Sequence, residues 1–84
     1  MKHKQQKIEL ITWVDSRFAE DGWLRPSEID QTPTTAETVG WVILETEDIL
    51  CMASSRGLLS QYCGVIVIPQ VCVTSRTKLR QKTK

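Results

Sequence analysis

The stretch from Val39 to Ser54 constrains the chain most. Two runs rich in apolar residues, Val39-Gly40-Trp41-Val42-Ile43-Leu44-Glu45-Thr46 and Ile49-Leu50-Cys51-Met52-Ala53-Ser54, flank the short acidic turn Glu47-Asp48. Tryptophan, valine, isoleucine and threonine suit a pleated, half-buried surface. Each run has the length of an ordinary strand. The spacing therefore predicts a β-hairpin over 39–54, with an acidic turn in solvent.

The rest of the chain reads as strands arranged around this hairpin. A first strand is expected from about Lys7 to Asp15, where the pattern alternates with period two and both faces carry apolar residues. Such a strand needs cover on its second side from a loop or another subunit. Tyr62 to Ile68 is almost continuously apolar, which predicts a strand buried on both faces. Pro69 marks its end, because proline cannot donate to a ladder. Val71 to Ser75 gives a fifth strand. Between the first strand and the hairpin, residues 15–38 form a long connection. Within it, Pro26-Ser27-Glu28-Ile29-Asp30 reads as one helical turn with Ser27 as N-cap. Long loops inside small domains are often functional. The expected fold is all-β: a small SH3-like five-stranded barrel with a long first loop carrying one helical turn. An OB-type barrel fits less well, because the segment between Ser54 and the fourth strand is too short for its helix.

The 84 residues make one domain. A chain of this size buries a modest core, and oligomerisation commonly supplements it. The expected divisions are a basic tail at 1–7, the barrel at 8–75 and a basic extension at 76–84. Charge follows those divisions. The two ends hold eight basic residues, whereas the body holds Arg17, Arg25 and Arg56 against ten acids. An acidic body is not the profile of a protein whose main surface wraps nucleic acid. Arg76, Lys78, Arg80 and Lys82 in the extension are the candidate nucleic-acid contacts, of a salt-dependent and sequence-independent kind.

The three cysteines, Cys51, Cys63 and Cys72, lie in apolar runs without a CxxC pair, and the only histidine is His3. Buried free thiols are expected, and neither a metal site nor a cofactor. No run of apolar residues approaches the length of a membrane span, and no secretory leader is legible. The expected location is the cytoplasm, that of the host cell if the chain is phage-encoded.

The motif order Trp13-Val14-Asp15-Ser16, Gly22-Trp23, Val39-Gly40-Trp41-Val42, Glu45 and Asp48, then Gly64, Ile66 and Ile68-Pro69 resembles a set of small proteins encoded in phages and prophages. The likeness covers roughly residues 10–73. It implies a small β-rich phage accessory protein and carries over no catalytic residue.

Nothing in the chain supports catalysis. No histidine outside the tail could activate a nucleophile, and no glycine-rich phosphate loop occurs. All three body arginines, however, lie in the two loops 15–38 and 54–62. Ser16 and Arg17 are candidates for a phosphate, although Asp15-Ser16 equally makes a strand-end turn. Trp23 beside Arg25 offers a stacking face next to a guanidinium; the simpler alternative has Trp23 plugging the barrel. Ser55-Arg56 could cradle an anion with Tyr62 stacking nearby, or form a plain surface loop. These residues point to a small anionic ligand, a cyclic or ADP-ribose-type nucleotide being the concrete case. The expected protein is a non-enzymatic homo-oligomer that captures such a ligand, a counter-defence sponge. The other reading is an adaptor that contacts protein or nucleic acid through the barrel surface and basic extension.

Overall fold

The computed structural model describes residues 7–19 and 22–80. Five strands form one antiparallel sheet: β1 (Ile8–Asp15), β2 (Thr34–Glu45), β3 (Ile49–Arg56), β4 (Tyr62–Pro69) and β5 (Val73–Leu79). Their order across the sheet is β4-β3-β2-β1-β5. Single 3-10 turns occupy Pro26–Glu28, where a helical turn was expected, and Gln70–Cys72, between β4 and β5. The all-β expectation holds in that form. Closure does not follow from it, because β4 and β5 are the two edges and are not hydrogen-bonded to each other.

The longest strand, β2, serves two partners in turn. Its first part, from Thr34 to Trp41, lies opposite β1, and its second part, from Trp41 to Glu45, lies opposite β3. A bulge between Val42 and Leu44 shifts the register within the β2–β3 pairing, and bulges bend and twist the strand that carries them. Gly40 stands just before the bend, on the inner face. A Cβ there would lie 2.5 Å from the Ala53 carbonyl oxygen, so no other residue fits the crossing without moving β3. Gly64 on β4 has φ of +67°, and a side chain there would run into the Ser54 hydroxyl.

The bend wraps the sheet around its inner face. Ile11 on β1, Leu50 and Met52 on β3 and Ile68 on β4 are wholly buried together. β1 and β4 are three places apart in the sheet, so their meeting requires it to curl. Trp13, Val42, Ile66, Cys72 and Val73 pack against this cluster. Burying each large side chain contributes roughly 1.5–3 kcal/mol.

A charged residue sits on the same inner face. Glu9 alternates with Ile11 and Trp13 on β1 and is only 2% exposed. Arg76, on the neighbouring β5, meets it with a fork: Nε and Nη2 each donate to one Glu9 carboxylate oxygen at 2.9 Å. The same guanidinium donates to Glu45 at the end of β2, with Nη1 to Oε2 at 2.6 Å and Nη2 to Oε1 at 3.2 Å. Gln70 adds to this cluster, its Nε2 donating to Glu45 Oε2 at 3.2 Å and to the Thr46 carbonyl at 3.1 Å. One arginine thus ties β1, β2 and β5 together where the sheet curls. The expected basic extension is strand as far as Leu79, and Arg76 is part of the scaffold.

The Arg76 hydrogen bonds hold the Glu45 carboxyl below its ordinary pKa of 4.5, against an opposing effect of burial. Asp30 is likewise lowered, chiefly by the Thr32 backbone amide. For a carboxyl lowered in the folded state, the stabilisation is complete above the unfolded pKa. It is lost as pH falls through the folded one. The melting temperature should therefore be flat near neutrality and fall below about pH 4.5. In Glu45→Gln the acid limb should be shallower than in the wild type. Thermal melts followed by circular dichroism across pH 3–7 check this; identical limbs would remove Glu45 from the account.

Two expectations about burial are corrected. On β4 only the inner residues are covered, Ile68 wholly and Ile66 in part, while Val65 is 50% and Val67 56% exposed. The period-two alternation puts these two on the outer face, where they stay half-exposed while their smaller ladder partners Cys51 and Ala53 are buried. Cys63 shares that outer face and is exposed, whereas Cys51 is buried and Cys72 half-buried. Among the described residues no helix is long and apolar enough to cross a membrane. The candidate contact Lys82 and residues 1–6 of the basic tail lie outside the described residues.

Candidate functional site

The three body arginines do not converge. Each is placed by a different local structure, and the chemistry left to each differs.

Arg17 follows β1 and turns back across the long loop. Nη2 donates to the Asp30 carbonyl at 2.7 Å, Nε donates to the Thr32 carbonyl, and Nη1 reaches the Phe18 carbonyl at 3.4 Å. The Asp30 carboxylate lies 3.5 Å from Nη2. The guanidinium is thus occupied in fastening the start of the loop to its end. Ser16 donates its amide to Asp15 Oδ1 at 2.8 Å, the strand-end turn that is the simpler reading of this pair. A shallow concavity of about 260 Å³ opens here, lined by Ser16, Arg17, Asp30 and Thr32 among others. Its charge is balanced internally, which disfavours an added anion.

Arg25 precedes the Pro26–Glu28 turn. Its amide donates to Glu28 Oε1 at 3.3 Å, and its guanidinium lies 3.9 Å from the same atom. The side chain is otherwise in solvent. Trp23 is fully exposed, so it plugs nothing and lines neither concavity.

Arg56 ends β3. Its guanidinium lies over the Trp41 ring, 4.8 Å from the centroid, a cation–π geometry. The Trp41 indole nitrogen is buried without a hydrogen-bond partner. The short loop after β3 is closed by the Gly57 amide donating to the Gln61 carbonyl at 2.7 Å, with Ser60 at φ of +60°. That closure returns the chain so that Tyr62 stands opposite Arg56 in the β3–β4 ladder. The result is a concavity of about 580 Å³ lined by Ser55, Arg56, Gly57, Gln61, Tyr62 and Cys63. It lies within the range of small-molecule sites.

Of the expected site residues, the structure brings together Ser55, Arg56 and Tyr62. It leaves Ser16 and Arg17 in a separate concavity, with Trp23 and Arg25 on the loop surface. No family model matches the chain, and no curated protein or solved structure matches it. The geometry of the Arg56–Tyr62 cleft therefore carries the functional argument.

Gln61 and Cys63 join the cleft without having been singled out by sequence. A loop sequence of Ser54-Ser55-Arg56-Gly57 through Gln61-Tyr62 gave no sign of which side chains would face one another. Only the strand pairing Ser55–Cys63 and Arg56–Tyr62 does so. In the extension, Lys78 is pushed below its ordinary pKa, first by a side-chain hydrogen bond with Lys7 and next by that residue's charge. Lys78 and Arg80 remain exposed cations at that end of the sheet, whereas Arg76 is committed to Glu9 and Glu45. Among the described residues no three His, Cys, Asp or Glu side chains gather as a metal site.

Proposed function

We propose that this chain is a non-enzymatic phage accessory protein that captures a small anionic ligand in the Arg56–Tyr62 cleft. The observation that carries this reading is the placement of a guanidinium and a phenol across one cleft of ligand size. Arginine recognises phosphate through paired, charge-assisted hydrogen bonds. An aromatic ring stacks on a base for about 1–3 kcal/mol. Ser55 and Gln61 add a hydroxyl and an amide for sugar or base edges. A cyclic or ADP-ribose-type nucleotide combines these features, and its capture needs affinity without turnover. Sequestration of such a second messenger, a sponge against bacterial defence, is the concrete form of the proposal.

The scaffold we propose for this site is an SH3-like barrel left open between β4 and β5. Its support is the placement of β5 beside β1, the long β1–β2 loop and the 3-10 turn before β5.

The test is calorimetry of the full chain against cyclic dinucleotides, cyclic ADP-ribose, ADP-ribose and inorganic phosphate. Mass spectrometry of small molecules released on denaturing the purified protein accompanies it. Arg56→Ala and Tyr62→Ala should each weaken binding by about 10- to 100-fold, in line with the loss of a charged hydrogen bond or a stacked ring. Arg25→Ala should leave it unchanged. No binding across the panel and no released ligand would end the sponge reading.

The adaptor reading keeps one specific observation of its own. Phe18 and Trp23 stand fully exposed on a loop that Arg17 holds in place. Exposed tryptophan on a fixed loop is the kind of anchor that dominates protein contacts. Failure of every nucleotide to bind, together with quenching protection of Trp23 by a protein partner, would favour it.

A further inference from the structure

The outer face of the sheet is the largest feature that the proposed cleft does not use. Strand registers define it without ambiguity, because residues directly opposite each other share a face. One row runs across all five strands: Leu79, Ile8, Trp41, Ala53 and Val65. The next row holds Leu44, Cys51 and Val67. On the other side, Leu10 stands between Thr77 and Val39. No charged residue occurs in any of these three rows. Val39 and Leu44 are each 55% exposed, and Val65 and Val67 are similar.

We propose that this face is the contact surface for a second copy of this chain, in an isologous dimer. Three observations select a copy of itself as the occupant. First, none of the residues in three successive rows is charged, and the cation brought against them is the Arg56 guanidinium, which lies over the Trp41 ring, so the face offers little to steer a nucleic acid or a charged peptide. Permanent homodimer interfaces are the more apolar class. Second, the patch of half-exposed valines and leucines is on the order of a few hundred Å², the size that marks interaction surfaces. It supplies the apolar centre of an interface that takes roughly 800 Å² from each partner. Third, the chain's own core is small: only Ile11, Leu50, Met52 and Ile68 are large side chains wholly buried among the described residues. A second copy is the one partner that is present whenever the chain is made. It would turn the outer face into a second core.

The arrangement also bears on the cleft, a consequence that rests on the function proposed above. Ser55 and Cys63 lie on this same outer face, one row beyond Ala53 and Val65. A second copy seated on Val65 would wall the open side of the cleft. The dimer itself does not depend on that reading, and its test uses no ligand.

Sedimentation equilibrium of the full chain across the micromolar range should show a dimer. Val65→Lys and Val39→Lys should each weaken association by about 100-fold, since each would carry a charge into an apolar contact. Circular dichroism should show the sheet intact in both, and Val65→Thr, close in shape, should weaken association less. Alkylation of Cys63 should slow as wild-type concentration rises and stay fast in Val65→Lys. A wild-type monomer at every concentration would overturn the proposal. So would a dimer of unchanged affinity in the folded lysine variants, or cover of the face by another molecule alone.

Discussion

Arg76→Met is expected to cost about 3–5 kcal/mol, the range for breaking a buried ion pair by removing one partner. Glu9 is 2% exposed, and Arg76 supplies both hydrogen bonds to its carboxylate. Without the guanidinium, that carboxylate must remain charged and unpaired in the interior, take up a proton, or drag β1 out of register. Each route is expensive. An 84-residue domain has a total stability of about 4–13 kcal/mol, so the variant should sit close to its unfolding midpoint at 25 °C. Urea denaturation followed by circular dichroism measures the loss.

The paired replacement separates geometry from charge. Glu9→Leu with Arg76→Met leaves no buried charge behind, and exchanging a buried pair for apolar groups is often neutral or stabilising. The double variant should therefore recover most of the loss. Glu45→Gln alone should cost under about 1 kcal/mol, because its partly exposed side chain makes a pair screened by solvent. If Arg76→Met and Glu45→Gln cost the same, the interior pair is not what holds the curl.

Leu50→Ala is expected to cost about 2–5 kcal/mol. Leu50 has no exposed surface and lies beside Ile68 in the ladder, facing Ile11 across the curled sheet. The cluster has few members, and strand backbones fixed by hydrogen bonds on both sides cannot collapse into the space. A residual cavity is the result. Leu58→Ala offers the contrast: Leu58 is 89% exposed in the β3–β4 loop, and its removal should stay within about 0.5 kcal/mol. Chemical denaturation of both variants checks the pair, and equal losses would mean that the core lies elsewhere.

These expectations show which parts of the molecule can be read from the residues. Alternation from about Lys7 to Asp15 and the two runs flanking Glu47-Asp48 located β1, the second half of β2 and β3, because a period of two is a direct imprint of the pleat. The turn was legible too: the Thr46 hydroxyl accepts from the amides of Asp48 and Ile49 at 3.2 and 3.1 Å. The first part of β2, from Thr34 to Thr38, was hidden by loop-like threonines. They are strand because β1 supplies a ladder opposite them, a tertiary contact that composition does not encode.

The site was less legible for the same reason. Arginine in a loop looks alike whether it waits for a phosphate or fastens a backbone. What tells Arg17 from Arg56 is supplied by the fold, which sets backbone carbonyls beside the first and an indole ring beside the second. The Glu9–Arg76 pair was missed although a trace of it was visible. A lone carboxylate between Ile8 and Leu10, on the strand face that also carries Ile11 and Trp13, asks for a buried cation. Its partner lay 67 positions along the chain, out of reach of any local pattern.

The Arg17 fastening has a consequence for how such a protein can diversify. By bonding Asp30 and Thr32 to the end of β1, it bears the ordering cost of the loop at its base. Residues 18–19 and 22–29 then lie outside this fastening, and the exposed Trp23 among them contributes nothing to the packed sheet. Residues there can be exchanged, lengthened or shortened with little penalty, since closure entropy grows only slowly with length. The sheet is thus a chassis and the loop a replaceable cartridge, each free to change at its own pace.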